Sequence, residues 1–389
     1  MDKGLFQKFY IGTYCLGKNA RDEQHVKELA ECGIDILFGV NYDKPLLDLL
    51  EKYGVHVVPN GVLPGWFGGD GKNAGMLERT NSIESYIRGI EAFSDHPAII
   101  GLDIGDEPSS LDFPYYGKVV DILSERLLDK LLYLNIYPSY GMLKDAGDEQ
   151  AKRELGTDTY RDYLTSYCEN VPLPYLSIDH YPFSSSSSGI DRFLSDLADA
   201  AEICRAYSRP LMTVLEVNSK EPERFISADE LRLQAYCALA YGSRVVSWAC
   251  YSPGWWQNNV LDRDGNKTEQ YEKLKEVNGE LKRFTREYEK YICLSTAGLN
   301  VGESISIAPF GKISADAPVL VGSFEDESGS PAILVAPLEY KDGFNLRFTY
   351  SASRPLMLRT TQDAPQRLRA NDSEETAIFS RGALFVFCE

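Results

Sequence analysis

The chain has 389 residues, of which 43% are hydrophobic and 25% are charged, and its formal net charge is −18. This composition is typical of a globular protein and excludes extended disorder, while the length suits a barrel-sized domain with a smaller second domain. An acidic surface repels a phosphate backbone, and no apolar run is long enough to cross a bilayer, so neither a nucleic acid nor a membrane is expected as a partner.

Short apolar runs alternate with amphipathic stretches from the N-terminus to about residue 290. Several of these runs are continuously apolar, which is typical of strands that are covered on both faces. In chain order, the predicted strands are 9–15, 35–40, 55–60, 99–104, 131–137, 175–180, 211–215 and 245–250. The clearest helix is predicted over 268–284, where apolar residues repeat on one face and charges fill the other. Eight strand–helix units of this total length match a (β/α)8 barrel.

A doubly wound open sheet is the competing architecture. It normally places a glycine-rich phosphate-binding turn after an early strand, and the segment 12–17, Gly-Thr-Tyr-Cys-Leu-Gly, is a poor match to such a turn. The barrel is therefore the preferred prediction.

The pattern changes after about residue 295, where helical periodicity disappears. Short strands are predicted over 319–324, 332–337, 344–350 and 384–387, and apolar residues alternate with polar ones in the third of these. The sequence therefore predicts an α/β fold, with a (β/α)8 TIM barrel over residues 1–292 and a C-terminal all-β sandwich domain over residues 293–389. The serine run 184–188 is predicted to be a mobile loop.

The spacing of the cysteines indicates the redox state of the cellular compartment. All eight lie singly in apolar segments without a C-x-x-C pair, which is typical of a reducing compartment. The N-terminal residues lack the pattern of a secretion signal. A cytoplasmic location is favoured. Whether a signal peptide has been removed is left open.

Two glutamates follow predicted strands four and seven. In a barrel, functional groups gather at the carboxyl ends of the strands, and these two strands lie on roughly opposite sides of the barrel mouth. Glu107 and Glu216 are therefore expected to face each other. Cleavage of a glycosidic bond needs such a pair, in which one carboxyl protonates the leaving oxygen and the other attacks the anomeric carbon.

The segments that carry these glutamates resemble those of a known family. Ile-Gly-Leu-Asp-Ile-Gly-Asp-Glu-Pro at 100–108 resembles the fourth-strand signature of clan A retaining glycoside hydrolases, and Met-Thr-Val-Leu-Glu-Val-Asn at 212–218 resembles their seventh-strand segment. The resemblance implies that Glu107 is the general acid/base and Glu216 the nucleophile. It also implies a β-linked substrate and no cofactor.

Three further segments extend the resemblance to about three quarters of the chain. Asp-His-Tyr-Pro at 179–182 is similar to the sixth-strand segment, and Val-Val-Ser-Trp-Ala-Cys-Tyr at 245–251 looks like the eighth strand. The passage 261–271 resembles the one that follows the last strand in β-galactosidase-like members, so a β-galactoside-like substrate is implied.

One residue departs from the family pattern. Most clan members place asparagine before the acid/base glutamate, where it binds the 2-hydroxyl of the sugar, whereas this chain has Asp106. A carboxylate there still accepts a hydrogen bond, and its charge is expected to raise the pKa of Glu107. The aspartate at this position puts the family's usual substrate preference in doubt, more than it does the type of reaction.

Other residues at predicted strand ends or in loops are candidates for binding the substrate. Tyr181 either orients Glu216 or packs with its hydroxyl satisfied, and the asparagines either bind hydroxyls or serve turns. By resemblance Trp248 forms the floor of the sugar site, and loop tryptophans are expected to stack on sugar rings. The predicted binding residues are Asp106, Asn41, Asn60, Tyr137, Asp179, Tyr181, Trp248, Trp66, Trp255 and Trp256.

Two other functions are open at this point. A metal-dependent, isomerase-like barrel enzyme is one, with ligands from Glu107, Asp179, His180 and Glu216, although no paired-ligand spacing supports it. The other is a barrel that binds carbohydrate without cleaving it. Under the preferred hypothesis the partner is a carbohydrate substrate, and the oligomeric state is left open.

Overall fold

A computed structural model describes residues 6–143, 149–183, 189–222, 224–340, 342–351, 355–361, 364–368 and 375–388. Of 142, 143 and 149–151 it describes the backbone alone. The serine run 184–188, predicted to be a mobile loop, lies outside the described residues. By its contacts the chain divides into two compact units, the first formed by Met1–Phe6, Tyr10–Ile226 and Val245–Lys275, and the second by Gln7–Phe9, Ser227–Arg244 and Glu276–Glu389.

Parallel strands form the centre of the first unit. They are β1 (Tyr10–Tyr14), β2 (Ile36–Asn41), β3 (His56–Asn60), β4 (Gly101–Asp106), β5 (Leu131–Asn135), β6 (Leu176–Asp179), β7 (Leu211–Glu216) and β8 (Ser243–Ala249), the last beginning in the second unit. One sheet has the order β3-β2-β1-β8-β7-β6, and β4 pairs with β5 separately. Every residue of β5 and β7 is buried, as expected of strands covered on both faces.

Isolated parallel bridges continue this pairing. Val57 at β3 bridges to Ile99 just before β4, and Ile136 just after β5 bridges to Ile178 in β6. Each strand therefore neighbours the strand that follows it in the chain. The carboxyl ends of all these strands consequently lie at one edge.

Helices follow most of these strands. Their bounds are α1 (Glu23–Glu31), α2 (Lys44–Lys52), α3 (Leu77–Thr80), α4 (Ile83–Ala92), α5 (Phe113–Ser124), α6 (Glu149–Leu155), α7 (Tyr160–Asn170), α8 (Gly189–Ala206), α9 (Ala228–Ala240) and α10 (Glu269–Tyr288). Side-chain caps set several starts: the Asp22 carboxylate accepts from the His25 backbone N–H before α1, and Ser227 with Glu230 forms a capping box before α9.

The second unit contains antiparallel sheets. Their strands are β9 (Tyr291–Leu299), β10 (Ser304–Ile307), β11 (Gly311–Ala315), β12 (Val319–Asp326), β13 (Pro331–Pro337), β14 (Phe344–Thr349), β15 (Leu356–Thr360), β16 (Gln366–Leu368), β17 (Glu375–Ser380) and β18 (Leu384–Cys388). The sheet orders are β10-β11-β14-β17 and β16-β15-β18-β13-β12-β9. Side chains from both sheets, including Ile313, Leu346, Val335 and Val386, share one hydrophobic cluster.

The predicted elements are confirmed with shifted ends. Each of the eight strands predicted for the barrel is present, and its ends differ by at most two residues. The helix predicted over 268–284 continues to Tyr288. Strands β9, β10, β11, β15, β16 and β17 were not predicted, because runs such as Ser-Ile-Ser-Ile are short and only partly apolar. The domain boundary after residue 292 stays a prediction.

Two predictions drawn from composition can be compared with the structure. Each of the eight cysteines is a free thiol, as the absence of paired spacing suggested. Among the described residues, no helix combines the length and the apolar character that crossing a membrane requires.

Candidate active site

Four neighbouring strands of the first unit end in side chains that carry amides or carboxyls. Asp106 ends β4, Asn135 ends β5, Asp179 ends β6 and Glu216 ends β7. Because parallel strands present their carboxyl ends at one edge, these polar groups gather there.

Glu107, the first residue after β4, lies in a constrained turn. Its φ is +44°, in the left-handed region that non-glycine residues rarely adopt. The Glu107 backbone N–H donates to the Asn135 carbonyl oxygen at 2.9 Å, and the Asp106 N–H donates to the Trp66 carbonyl oxygen at 2.8 Å. These bonds hold the turn in a conformation that would otherwise be unfavourable.

Gly68 closes over the same turn. Its backbone N–H donates to the Asp106 carbonyl oxygen at 3.2 Å. A Cβ at this position would lie 1.9 Å from the Glu107 carbonyl oxygen and 2.8 Å from the Tyr137 hydroxyl. Only glycine permits this approach, so the loop after β3 helps to fix where Glu107 points.

Glu216 is fully buried at the end of β7. The Phe183 backbone N–H donates to its Oε2 at 2.8 Å. Val214, two residues earlier on the same side of β7, lines a cavity, whereas Glu216 itself is not among the residues that line either of the two cavities described below. This backbone donor fixes the position of one carboxyl oxygen.

Asn135 links the carboxyls of two strands. Its Nδ2 donates to Asp179 Oδ1 at 2.9 Å, and its amide also hydrogen-bonds the Asp106 side chain. Its Oδ1 accepts from Ser177 at 2.9 Å, and Ser177 contacts the Tyr133 hydroxyl at 3.2 Å. The network therefore fixes the amide so that its donors face the carboxyls.

Repulsion and burial raise the pKa values of these carboxyls. Burial, and then the charges of Asp179 and Asp106, hold the pKa of Glu107 well above its usual range. Asp106 is exposed within the cleft, and desolvation by the cleft walls raises its pKa to about 6 against the opposing bond from Asn135. Burial with the Asp106 charge raises the pKa of Asp179 to about 7. Burial and the Asp106 charge also raise the pKa of Asp103. These effects favour the protonated form of Glu107.

The raised pKa of Asp106 has a consequence for stability. The folded protein holds this proton more tightly than an unfolded chain, in which the pKa is about 3.8. The contribution of Asp106 to the free energy of unfolding therefore falls as the pH rises from about 4 through about 6. Asp106→Asn removes this pH-dependent loss. Because Asp106 is open to the cleft, a modest effect is expected, with the variant gaining about 2–4 °C in Tm relative to the parent between about pH 4 and about pH 7.5.

Thermal unfolding at both pH values measures this gain. Asp264→Asn is the matched control, since it makes the same charge change at an exposed side chain. A Tm difference between Asp106→Asn and the parent that does not vary with pH would show that Asp106 titrates as an ordinary carboxyl.

Two adjoining cavities open beside these carboxyls. A cavity of about 330 Å³ is lined by Tyr14, Phe67, Asp106, Glu107, Asn135, Asp179, Tyr181, Val214 and Trp255. A cavity of about 490 Å³ is lined by Tyr14, Cys15, Gly39, Asn60, Gly61, Gly65, Trp66, Phe67, Asn73, Asp103, Asp106, Tyr133 and Trp255. They share Tyr14, Phe67, Asp106 and Trp255, and together form the cleft.

Most of the predicted binding residues lie at this cleft. Asp106, Asp179, Tyr181, Trp255, Asn60 and Trp66 line it. Trp256 packs edge-on against the Tyr181 ring, with centroids 4.9 Å apart, and buried Tyr137 has its hydroxyl beside Gly68.

Two predicted binding residues are placed differently. Trp248 is fully buried and lines neither cavity, so its role as a sugar floor stays a prediction. Its place at the cleft is taken by Trp255, which is 38% exposed. Asn41 is exposed at the end of β2 but is absent from the lining of both cavities.

Asp179 and His180, at the end of the sixth strand, have different roles, as the alternation of side chains along a strand predicts. Asp179 lines the cleft and accepts a hydrogen bond from the Tyr181 hydroxyl. The contact of Tyr181 with Glu216 stays a prediction. His180 is buried and its Nδ1 lies 2.8 Å from Asp196 Oδ2, which makes it part of the scaffold.

The metal hypothesis can be examined at the same residues. Within the described ranges, no three histidine, cysteine, aspartate or glutamate side chains are arranged to hold a metal ion. The imidazole Nδ1 of His180 is engaged by Asp196 Oδ2 at 2.8 Å.

Two single residues at the cleft and one pairing of tyrosine hydroxyls were missed from the sequence. Asn135 was overlooked because strand five was extended to Tyr137, although the buried run Leu-Leu-Tyr-Leu ends at this polar residue. Asp103 is a charged residue within an apolar strand, which is itself a signal of function. The hydroxyls of Tyr14 and Tyr133 are hydrogen-bonded to each other at the cleft. No local sequence pattern predicts that pairing.

Comparisons with known proteins give backbone similarities alone. No protein-family model matches the chain, and no curated protein matches it. Solved structures similar to it include a GH2 β-galacturonidase from Eisenbergiella tayi, with 13% identity, a TM-score of 0.49 and coverage of 70% of this chain and 51% of that one. This chain thus spans about half the length of that protein.

Two other solved structures align over more of their length. A glycoside hydrolase family 30 subfamily 8 xylanase from Clostridium acetobutylicum has 12% identity and a TM-score of 0.46, covering 97% of this chain and 95% of that one. A GH51 arabinofuranosidase from Xanthomonas axonopodis pv. citri has 10% identity and a TM-score of 0.45, covering 100% and 94%. These similar structures are glycoside hydrolases by name, and at such low identities and TM-scores they carry no argument about this chain's activity.

Proposed function

We propose that this chain is a retaining glycoside hydrolase, with Glu107 as general acid/base and Glu216 as nucleophile. We further propose that the eight parallel strands close into a (β/α)8 barrel, followed by a C-terminal β-sandwich. The bridges Val57–Ile99 and Ile136–Ile178 support closure, because they join the separate β4-β5 pair to both edges of the larger sheet.

One observation carries the proposal: the strands that bear the two glutamates end at one edge, and the glutamates differ in environment. The pKa of Glu107 is raised, which favours its protonated form, whereas Glu216 accepts a hydrogen bond from the Phe183 backbone N–H. Tyr140 lies within electrostatic reach of both, since burial and then the charges of Asp179, Glu107, Asp196 and Glu216 raise its pKa. A protonated acid and an ionised nucleophile are the pair that glycosidic cleavage needs.

The reaction has two steps. In the first, Glu216 attacks the anomeric carbon while Glu107 gives its proton to the glycosidic oxygen, so that the bond to the leaving group breaks and a glycosyl ester forms. In the second, Glu107 takes a proton from water, which displaces Glu216 from the same carbon. The sugar leaves with its original anomeric configuration, and both carboxyls return to their starting states.

The cleft supports a sugar-sized ligand. Its cavities of about 330 and 490 Å³ lie in the usual range for small-molecule sites. Trp66, Phe67 and Trp255 supply aromatic surface on which the C–H face of a sugar ring can stack. The motifs around both glutamates make a β-linked, β-galactoside-like compound the first class to test.

Proton NMR of the product formed first tests the mechanism. Aryl β-glycosides of gluco and galacto configuration are mixed with the full chain, and the anomeric signal is followed before mutarotation. We expect the β anomer to appear first. An α anomer would replace the retaining mechanism by an inverting one. Binding without any cleavage across the series would favour the non-catalytic hypothesis.

A further inference from the structure

Two cysteines lie side by side at the carboxyl ends of neighbouring strands. Cys15 directly follows β1 and Cys250 directly follows β8, and these two strands pair in parallel. The backbone pairing continues past the strand ends, where the Ser252 N–H donates to the Cys15 carbonyl oxygen at 3.1 Å. Segments paired in this way run about 5 Å apart, which is within the range of about 4.4–6.8 Å that separates the Cα atoms of a disulfide.

The two sulfur atoms meet at one glycine. A Cβ at Gly254 would lie 2.9 Å from Cys15 Sγ and 3.3 Å from Cys250 Sγ. The Cys250 thiol donates a hydrogen bond to the Cys15 sulfur, so the two groups are in direct contact. Both are free thiols. The fold therefore holds two unbonded sulfur atoms close enough to react with each other.

The two thiols differ in their access to the cleft. All eight cysteines lie in the described part of the chain, and Cys15 alone among them is partly exposed. Cys15 lines the cavity of about 490 Å³, whereas Cys250 is fully buried and lines neither cavity of the cleft. A small molecule that enters the cleft therefore reaches Cys15 before it can reach Cys250.

The two thiols also differ in reactivity. The hydrogen bond from Cys250 lowers the pKa of Cys15 against the opposing effect of burial. Burial, and then the bond to Cys15, raise the pKa of Cys250. Because the thiolate is the nucleophilic form of cysteine, Cys15 is the one that reacts first with an electrophile, and Cys250 is left as a neighbouring thiol.

We propose that Cys15 and Cys250 form a redox pair, in which a hydroperoxide that enters the cleft oxidises Cys15 and Cys250 then closes a reversible disulfide. The Cys15 sulfur attacks one peroxide oxygen, the O–O bond breaks, and the thiol proton leaves with the other oxygen as water or an alcohol. The Cys250 sulfur then attacks the sulfenic acid on Cys15. An S–S bond forms, the S–O bond breaks, and the Cys250 proton leaves with the hydroxide as water. The thiols lose two electrons and the peroxide gains them.

Thiol mapping of the full chain tests the inference without any substrate, so its outcome is independent of the proposed hydrolysis. The reduced protein is treated with hydrogen peroxide, free thiols are alkylated at intervals, and mass spectrometry of the peptides follows each cysteine. We expect Cys15 and Cys250 to lose their thiols together, at least about tenfold faster than the other cysteines. A disulfide-linked pair of peptides should appear at the same rate, and dithiothreitol should restore both thiols.

Single substitutions separate the two roles. In Cys250→Ser the sulfenic acid on Cys15 has no thiol to close on, so dimedone should trap it there. In Cys15→Ser, Cys250 should stay reduced over the same interval, because it is fully buried and its pKa is raised. Circular dichroism checks that each variant is folded.

Cys168 and Cys204 provide an internal control. They lie on α7 and α8, both are buried, and the charge of each contributes to raising the pKa of the other. Neither lines a cavity of the cleft. They should stay reduced in the folded protein and react at a rate within about threefold of Cys15 once urea has unfolded the chain, since the difference in access is then lost.

Three outcomes would overturn the inference. The first is a rate of loss at Cys15 in the folded protein that is no faster than at Cys168. The second is an intramolecular disulfide that joins Cys15 to a cysteine other than Cys250. The third is a sulfenic acid that persists on Cys15 in the parent protein, because a thiol in contact with it should consume it.

Discussion

Replacing Glu216 by alanine is expected to lower kcat by at least about 10⁴-fold, because the covalent intermediate can no longer form. The side chain is fully buried and accepts the Phe183 N–H, so alanine also leaves a small cavity and an unpaired donor. Glu216→Gln therefore accompanies it, since the amide oxygen keeps the acceptor and the shape while losing the nucleophile.

Rescue by a small anion distinguishes a nucleophile from a structural residue. Azide entering the space left by Glu216→Ala is expected to attack the anomeric carbon of an aryl β-glycoside and to release the α-glycosyl azide, with inverted configuration. Thermal unfolding of both variants provides the folding control. Near-normal turnover in a folded variant, or a loss of turnover that simply follows a loss of Tm, would contradict the assignment.

Much of the first unit was predictable because its strands are locally encoded. Continuous apolar runs such as the one in β7 have few alternatives in a soluble chain, and a glutamate at the end of such a run is conspicuous. The approximate positions of Glu107 and Glu216 follow from that periodicity alone. The predicted strand ends differ from the observed ones by up to two residues. This difference determined which residues beside the glutamates were identified as site residues.

The remaining site residues depend on contacts between distant segments. Asn135 matters because it joins Asp106 to Asp179 across neighbouring strands, and no sequence period encodes such a junction. Trp248 illustrates a related point. A tryptophan near a strand end has an inward and an outward side, and only the packed structure shows that its ring is buried while Trp255 reaches the cleft.

Asp106 links the electrostatics of the cleft to its proposed chemistry. A carboxylate there raises the pKa of Glu107, which helps the acid to stay protonated.

Replacing Glu107 by alanine is expected to affect substrates unequally. Poor leaving groups need the proton that Glu107 provides, and their kcat/KM should fall by about 10²–10⁴-fold. Good leaving groups such as 2,4-dinitrophenolate depart without a proton, so their first step should change little. A plot of log kcat/KM against leaving-group pKa should be shallow for the parent and steep for the variant.

The pH profile gives an independent check on the same residue. Because burial and the neighbouring carboxylates raise the pKa of Glu107, the parent should be active with the acid protonated and should lose activity on poor leaving groups as the pH rises through that pKa. Glu107→Ala should lack this basic limb, and azide should give the β-glycosyl azide, with retained configuration. Glu107→Gln, which keeps the shape of the side chain, should behave as alanine does in the leaving-group plot. Equal losses on good and poor leaving groups, with the basic limb still present, would mean that another group supplies the proton and that Glu107 only shapes the turn after β4.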